Sequence, residues 1–180
     1  MSYYSEHAKE YIESTIGTDM SEAYSMFEPR LPKGGSVLDV GFGSARDMLH
    51  FRNAGFEVHG IDVEGSFVDH AKSLGLDAEV GDVLTYETEK RFDGIWACAS
   101  LLHLRADQLH AAIDRLLYIL KDRGVLFISM KEGDSEYVDE KGRPMLLVGE
   151  DAFAGYRVEA TKKTLEEGRG ITWINVVIRK

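Results

Sequence analysis

Two glycines and an acid stand where a short apolar run gives way to a helical pattern. The run Ser36–Val40 contains Asp39 and precedes Gly41 and Gly43, and the pattern predicts a helix from Arg46 to Ala54. In an open α/β sheet, ligands bind beyond the carboxyl ends of the strands, and glycines there let the backbone approach the ligand closely. The first turn of the helix adds unpaired N–H groups that attract an anionic group. The loop is therefore a candidate ligand site.

Acidic residues follow the next two predicted strands at equivalent places. Asp62 ends the strand Phe56–Ile61, about 20 residues beyond the loop, where an acid accepts hydrogen bonds from ribose hydroxyls. Asp82 follows the weak strand Asp77–Val80, where it can accept an adenine amino group while Val83 offers its backbone N–H to the ring. Together the acids indicate a nucleoside beside the glycine loop.

Two details favour S-adenosylmethionine (SAM) over a dinucleotide as the ligand. The dinucleotide fingerprint G-x-G-x-x-G requires a third small residue at the position of Arg46, and here the small residue is Ala45, one place earlier. SAM has no pyrophosphate and carries an amino-acid tail. Its ammonium would bind Asp39, and its carboxylate would bind loop N–H groups or Arg46. A nicotinamide-dependent oxidoreductase is the alternative, because Asp62 suits both cofactors, but Arg46 and Asp82 argue against it.

These segments resemble class I SAM-dependent methyltransferases over nearly the whole chain, with small bacterial enzymes of the tellurite-resistance-like kind as the nearest likeness. Val37–Asp47 resembles the first motif of that family. Gly60–Val63 resembles its ribose-binding acid with the residue that follows, and Gly81–Val83 resembles its adenine-binding segment. Phe92–His103 is similar to its fourth strand and the loop after it.

The resemblance implies methyl transfer from SAM to a small-molecule acceptor, with S-adenosylhomocysteine as product. It also implies that Val63 and Cys98 join the cofactor-binding residues, although a packed, unreactive side chain is the favoured interpretation of the Cys98 thiol. The chain departs from the family at Ala45, where a glycine is usual. It departs again over Lys131–Tyr156, which is short and has helical potential only at Glu150–Ala154. A reduced lid, a site completed by a partner chain, or a non-catalytic SAM-binding module would each explain this second departure.

Methyl transfer from a sulfonium is an in-line displacement, so positioning can supply most of the catalysis without a catalytic side chain. His103 follows the predicted fourth strand and is the candidate catalytic residue, to position or deprotonate an acceptor. A structural histidine is the alternative. Tyr3, Tyr4 and Tyr11 form either an aromatic lid over the cofactor or the packed face of an N-terminal helix. The charged run Asp134–Lys141 is predicted to be a solvated loop.

Short apolar runs alternate with helical stripes along the chain. This alternation predicts an α/β fold with a Rossmann-like, seven-stranded, mostly parallel sheet and helices on both faces. The clearest helix is Asp107–Leu120, which Gly124 is expected to end before a fifth strand at Val125–Met130. The last two strands, Arg157–Leu165 and Ile171–Arg179, are predicted to form an antiparallel C-terminal hairpin.

The 180 residues suit a single domain, 1–180, in which residues 1–27 form an N-terminal helical cap. A formal net charge of -10 argues against nucleic acid as a partner. The single cysteine and the absence of a signal peptide or membrane-spanning run predict a cytoplasmic protein with no membrane partner. The spacing of His, Cys and acidic residues suggests no metal site, and the sequence leaves the oligomeric state open.

Overall fold

The structure, a computed structural model, describes residues 3–180. Its strands are β1 (Ser36–Val40), β2 (Glu57–Asp62), β3 (Asp77–Val80), β4 (Phe92–Cys98), β5 (Leu120–Lys131), β6 (Ser135–Val138), β7 (Pro144–Leu147), β8 (Val158–Glu166) and β9 (Ile171–Arg179). Seven of them form one sheet of order β3-β2-β1-β4-β5-β9-β8. The first five strands run parallel, whereas β9 is antiparallel to both β5 and β8. The predicted sheet and its C-terminal hairpin are confirmed.

Helices cover both faces of this sheet, as the sequence predicts. They are α1 (Tyr3–Thr15), α2 (Ser21–Phe27), α3 (Arg46–Asn53), α4 (Gly65–Ser73) and α5 (Ala106–Ile119). The apolar stripe of α5, including Leu109 and Ile113, packs on one face. On the other face, Phe27 of α2 and Phe51 of α3 pack around Trp96 of β4, and α4 packs beside α3. Burial on both sides explains why the central strands β1 and β4 are mostly apolar, whereas β3, at the edge of the sheet, is mostly exposed.

Helix α1 lies over the carboxyl edge of the sheet. The Tyr11 ring lies against Gly43, so close that a Cβ atom at that glycine would be 2.9 Å from Tyr11 Cε1. The rings of Tyr4 and Tyr11 also pack on Phe67 of α4, with centroid separations of 5.8 and 5.4 Å. These contacts tie α1 to the glycine loop and to α4, while the Tyr3 ring lies outside the described side chains.

The turn between α5 and β5 differs from the prediction. Helix α5 ends at Ile119, and β5 begins at Leu120, five residues before the expected start of that strand. The left-handed residue of the turn is Arg123, with φ of +66°, rather than Gly124. Glycine is favoured at position 124 for a different reason, which is lack of space: a Cβ atom there would lie 3.0 Å from the carbonyl oxygen of Lys121.

The charged run after β5 is not the solvated loop that its composition predicts. Its residues 135–138 form β6, which is exposed at every position and pairs with β7. The Asp139 carboxylate organises the connecting turn by accepting hydrogen bonds from the backbone N–H groups of Lys141 and Arg143, both 2.9 Å long. Buried Met145 and Leu146 hold β7 to the core. Further on, Glu150–Phe153 forms a short 3₁₀ helix, close to the predicted helical segment.

Within residues 3–180, no helix has the length and apolar character that crossing a bilayer requires. In the same part of the chain, no three His, Cys, Asp or Glu side chains are grouped so that they could hold a metal ion.

Candidate active site

The loop after β1 has the backbone geometry that the sequence predicts for a ligand-binding turn. Gly41 and Gly43 have φ angles of +68° and +51°, in the left-handed region that favours glycine. The N–H of Gly41 donates to the carbonyl oxygen of Ile61 at 2.7 Å. A Cβ atom at Gly41 would lie only 2.5 Å from the Cβ of Ser100, so the loops after β1 and β4 are in direct contact. Ala45 takes φ of +60° as it leads into α3, where a glycine would adopt this angle with less strain.

Asp39 lies buried in β1 immediately before this loop, with 2% of its surface exposed. Its Oδ2 atom has no hydrogen-bond partner among the described residues. Burial raises the pKa of this carboxyl group well above its usual range, and the nearby Asp47 carboxylate raises it further. An ionised carboxylate without a partner is unfavourable in such surroundings, so a cationic group beside Asp39 would stabilise it.

Arg46 and Asp47 form an ion pair at the start of α3. The Nε and Nη2 atoms of Arg46 donate to the two carboxylate oxygens of Asp47, each at 2.8 Å. Asp47 also accepts from the Tyr24 hydroxyl of α2 and from Trp96 Nε1 of β4, the latter at 2.9 Å. Arg46 is among the residues predicted from the sequence, whereas Asp47 is not, because its only local signal is an acid in the first turn of a helix.

Asp62 connects the end of β2 to the glycine loop. Its carboxylate accepts hydrogen bonds from the backbone N–H groups of Gly43 and Glu64, both at 2.9 Å. Burial raises its pKa, whereas the hydrogen bonds from these backbone groups lower it. The predicted nucleoside acid is therefore held at a defined position beside the loop.

A cavity of about 410 Å³ opens at the carboxyl ends of β1, β4 and β5. Tyr4 and Tyr11 line it and, through their contacts with Phe67, form its wall on the side of α4. Four of the residues predicted from the sequence line it, namely Gly41, Arg46, Cys98 and His103. The volume is in the range of sites for small molecules.

The remaining predicted residues after β2 and β3 lie at the same edge of the sheet but do not line this cavity. Val63 is 61% exposed, whereas the Val83 side chain is buried in the core. The exposed Asp82 accepts a hydrogen bond from the N–H of Leu84 at 2.9 Å. The structure therefore brings Gly41, Arg46 and the loop after β4 together around one cavity. Asp39, Gly43 and the acids at the ends of β2 and β3 do not line it.

His103 joins three segments that are distant in the sequence. One ring nitrogen, Nδ1, lies 2.8 Å from the carbonyl oxygen of Pro144, and the other, Nε2, lies 2.9 Å from the Tyr4 hydroxyl. Because a carbonyl only accepts, Nδ1 carries the proton and Nε2 accepts from Tyr4. Burial lowers the pKa of His103, and the Arg143 charge lowers it further. The ring is therefore neutral at pH 7, with its basic nitrogen on the Tyr4 side.

Arg143 completes this group of side chains. The group as a whole was not predicted from the sequence. Its Nη1 atom donates to the Tyr4 hydroxyl at 2.9 Å, and its Nε and Nη2 atoms donate to Asp139 Oδ2 at 2.9 and 2.6 Å. The chain Asp139–Arg143–Tyr4–His103 thus runs from the β6–β7 turn into the cavity. No local pattern marks it, since Tyr4 is 99 residues from His103 and 139 from Arg143.

Cys98, the last residue of β4, also lines the cavity. Burial raises the pKa of its thiol, and the Asp47 carboxylate raises it further. The thiol therefore stays protonated and unreactive at neutral pH, in keeping with the packed side chain favoured by the sequence.

Comparison with known proteins agrees with this architecture. Residues 37–124, about half of the chain, match the family model for a methyltransferase domain. No curated protein matches the chain in sequence. A solved structure with the same fold is the 1,6-didemethyltoxoflavin-N1-methyltransferase of Burkholderia thailandensis, with 1,6-didemethyltoxoflavin and S-adenosylhomocysteine bound. It is 21% identical with a TM-score of 0.81, and the match covers 98% of this chain and 83% of that one.

Two further structures share the fold over nearly the whole chain. A putative methyltransferase in complex with the Trm112 methyltransferase activator of Haloferax volcanii is 15% identical, with a TM-score of 0.80 and coverage of 99% and 98% of the two chains. The N-methyltransferase NodS of Bradyrhizobium japonicum WM9, in complex with S-adenosylhomocysteine, is 14% identical, with a TM-score of 0.70 and coverage of 97% and 98%.

The sheet order, the glycine loop and the matched domain define a methyltransferase of the Rossmann-like class. Residues 37–124 of the chain carry a methyltransferase domain, on the fold that the SAM-dependent methyltransferases of known structure share.

Proposed function

We propose that SAM binds across the carboxyl edge of β1, β2 and β3 and donates its methyl group to a small molecule held in the cavity beside His103. The observation that carries this proposal is the buried Asp39 carboxylate, whose Oδ2 atom has no hydrogen-bond partner among the described residues. An acid in this state next to a glycine loop suits the ammonium of an amino-acid tail. The residues present therefore fit the methionine end of SAM.

Each predicted residue has a part in this arrangement. Asp39 binds the ammonium, and Arg46 binds the methionine carboxylate. Gly41 and Gly43, whose own N–H groups donate to Ile61 and Asp62, let the tail approach the backbone of the loop closely. The two-point pair with Asp47 keeps the Arg46 guanidinium in one orientation. The other cofactor contacts are assigned along the edge of the sheet: ribose to Asp62 and Val63, adenine to Asp82 and Val83, and the methionine side to Cys98.

The bound cofactor supplies a sulfonium-activated methyl group that transfers by in-line displacement. The protein then has to hold the acceptor in line with that methyl group and keep competing water out. Tyr4 and Tyr11 of α1 line the cavity and suit the second task. They act as an aromatic cover over the acceptor.

His103 is proposed to act on the acceptor. Its neutral Nε2 atom accepts a hydrogen bond from Tyr4, and an acceptor N–H or O–H that replaces Tyr4 there would lose its proton to the ring. The hydrogen bond from Nδ1 to Pro144 keeps the ring in the tautomer that this role needs.

A small molecule is the acceptor class that best fits a cavity of about 410 Å³ in a protein of net charge -10. The structural relative from Burkholderia thailandensis has such an acceptor, 1,6-didemethyltoxoflavin, in its structure. We also propose a cytoplasmic location, for which the single cysteine is the supporting observation.

Calorimetric titration with S-adenosylhomocysteine, SAM and NAD tests the cofactor assignment. We expect the first two to bind and NAD not to bind, and Asp39→Ala to weaken S-adenosylhomocysteine about 10- to 100-fold by removing a charge-assisted contact. Unchanged affinity in the Asp39→Ala variant would refute the assigned role of Asp39. Binding of NAD without SAM would refute the proposal as a whole.

A second assay separates an enzyme from a non-catalytic SAM-binding module. A panel of small amines, thiols, carboxylates and heterocycles is incubated with SAM, and release of S-adenosylhomocysteine is measured. An enzyme releases it with at least one acceptor above the rate without protein. Binding of SAM with no release across the panel would favour the module.

A further inference from the structure

The far end of the cavity carries a cation without a carboxylate partner. Lys131 is the last residue of β5 and lines the cavity together with Trp173 of β9. Its Nζ atom lies 5.8 Å from the centroid of the Trp173 ring, and it forms no ion pair with any carboxylate among the side chains that the structure describes. Relying on the proposed function, we infer that the methyl acceptor carries an anionic oxygen group, such as a carboxylate, that binds Lys131 beside Trp173.

Two carboxylates whose charges act on Lys131, those of Asp139 and Glu166, are engaged with other groups. Asp139 accepts two hydrogen bonds from Arg143. Glu166 accepts a hydrogen bond from Trp173 Nε1 at 3.1 Å and pairs with Arg169 at 3.4 Å. Neither acid therefore neutralises the ammonium by direct contact, and both are oriented by their own partners.

The local electrostatics favour an anion at this end of the cavity. Burial lowers the pKa of Lys131, and the charges of Arg169 and Arg143 lower it further, while Glu166 and Asp139 oppose this. Arg169 and Arg143 also line the cavity. An anionic group next to Lys131 would offset the charge repulsion among these three side chains, which no neutral acceptor can do.

The methionine carboxylate of SAM is a poor candidate for this anion. The cofactor tail is assigned to the loop after β1, and β4 separates β1 from β5 in the sheet. The strands β1 and β5 are therefore two strand spacings apart, which is about 10 Å. Lys131 is instead close enough to His103 for its charge to add to the effect of burial in lowering the pKa of that ring. This position suits a group on the acceptor.

The rest of the far end suits a flat or apolar body. The Trp173 ring lies beside Lys131, and apolar side chains that also line the cavity include Leu102, Met145 and Leu165. An aromatic carboxylate would stack or pack on these side chains with its anionic group on Lys131 and its nucleophilic atom towards His103.

Paired probes of equal shape test this inference in protein saturated with S-adenosylhomocysteine. Benzoate and benzamide form one pair, and nicotinate and nicotinamide form the other. We expect each acid to bind at least about tenfold more tightly than its amide, because the carboxylate forms an ion pair with the Lys131 ammonium, whereas the neutral amide can only accept a hydrogen bond from it. Lys131→Met should abolish this preference. Lys121→Met, at the opposite end of β5 and paired with Asp93, should retain it.

The two tryptophans of the chain locate the bound probe. In a ¹H–¹⁵N spectrum, acid binding should shift the indole resonance of Trp173, whereas the resonance of Trp96, which is buried and bonded to Asp47, should stay in place. Equal affinity for acid and amide, or a preference that survives in Lys131→Met, would overturn the inference while leaving the cofactor site intact. Failure of S-adenosylhomocysteine itself to bind would instead refute the proposed function.

Discussion

The carboxylate of Asp47 binds the guanidinium of Arg46 at two points, each 2.8 Å long, in the first turn of α3. Two neutral donors complete the arrangement, the Tyr24 hydroxyl and Trp96 Nε1. One buried acid thus joins α2, α3 and β4 behind the glycine loop. The position of Arg46 in the cavity depends on this acid.

We expect Asp47→Ala to lower the free energy of unfolding by about 3–5 kcal/mol, because it leaves a buried guanidinium and two neutral donors without their acceptor. Urea unfolding followed by circular dichroism measures the change. Asp107→Ala is the matched control, since Arg105 and Asp107 form the same kind of two-point pair on the exposed start of α5. That variant should unfold almost as the unaltered protein does. A similar loss in both variants would contradict the assigned role of Asp47.

Asp39→Asn should stabilise the protein without cofactor while weakening S-adenosylhomocysteine. A carboxyl whose folded pKa is raised contributes stability below its unfolded pKa of about 3.9, and loses that contribution as the pH rises through the folded value. The asparagine does not ionise. The variant should therefore melt above the unaltered protein at pH 8, and the difference should shrink towards pH 5.

Thermal melts across this pH range check the prediction, and a change of about 1 kcal/mol corresponds to roughly 2–4 °C for a domain of this size. Asp69→Asn, on the exposed face of α4, should melt as the unaltered protein does at each pH. A melting temperature of Asp39→Asn below that of the unaltered protein at pH 8 would mean that the Asp39 carboxylate has a stabilising partner.

His103→Ala should reduce turnover while leaving the affinity for S-adenosylhomocysteine unchanged. If the acceptor must lose a proton, general-base catalysis predicts a loss of about 10²- to 10⁴-fold in kcat. His110→Ala is the control, because His110, on α5, forms a hydrogen bond with Tyr156 and does not line the cavity. Turnover that survives in His103→Ala would assign that ring a structural role.

The pH profile gives an independent reading of His103. Its basic form is the active one, and burial lowers its pKa below the ordinary value. We therefore expect kcat/KM to fall on the acid side with a midpoint below about 6.5. Tyr4→Phe removes the hydroxyl that donates to Nε2 and should shift this midpoint. A pH profile that is the same in Tyr4→Phe and in the unaltered protein would show that the Tyr4 hydroxyl does not act on the titrating group.

Gly41→Ala should destabilise the protein and weaken cofactor binding through two separate effects. The left-handed backbone costs roughly 1–2 kcal/mol for a residue with a side chain. The contact with Ser100 Cβ at 2.5 Å adds about 1–3 kcal/mol of overpacking. Gly55→Ala isolates the first effect, since its φ is +91° and nothing lies within 4 Å of its Cβ position.

The double variant Gly41→Ala/Ser100→Gly isolates the second effect by removing the Ser100 Cβ atom. It should recover the part of the unfolding free energy that comes from the clash and keep only the backbone penalty. No recovery in the double variant would show that the loop contact is not the cause of the loss.

The seven strands of the main sheet, the order in which they alternate with helices, and the loop Gly41–Gly43 were predictable from the sequence. The periodicity of buried positions and the glycines are local signals, which neighbouring residues carry without help from the rest of the chain. The same holds for Asp62, whose place at the end of β2 follows from the strand itself. The β6 strand was missed because four exposed residues in a charged run carry no burial pattern.

Only the tertiary structure decided which side chains meet at the cavity. Asp47 accepts a hydrogen bond from Trp96, 49 residues away in the sequence, and His103 accepts one from Tyr4, 99 residues away. These contacts define the roles of the two side chains. Such contacts depend on how α1, α2 and the β6–β7 hairpin pack on the sheet edge, and no spacing within one element encodes that packing. The sequence therefore determined the cofactor class through its loops, whereas the acceptor side of the site exists only where distant segments are brought together.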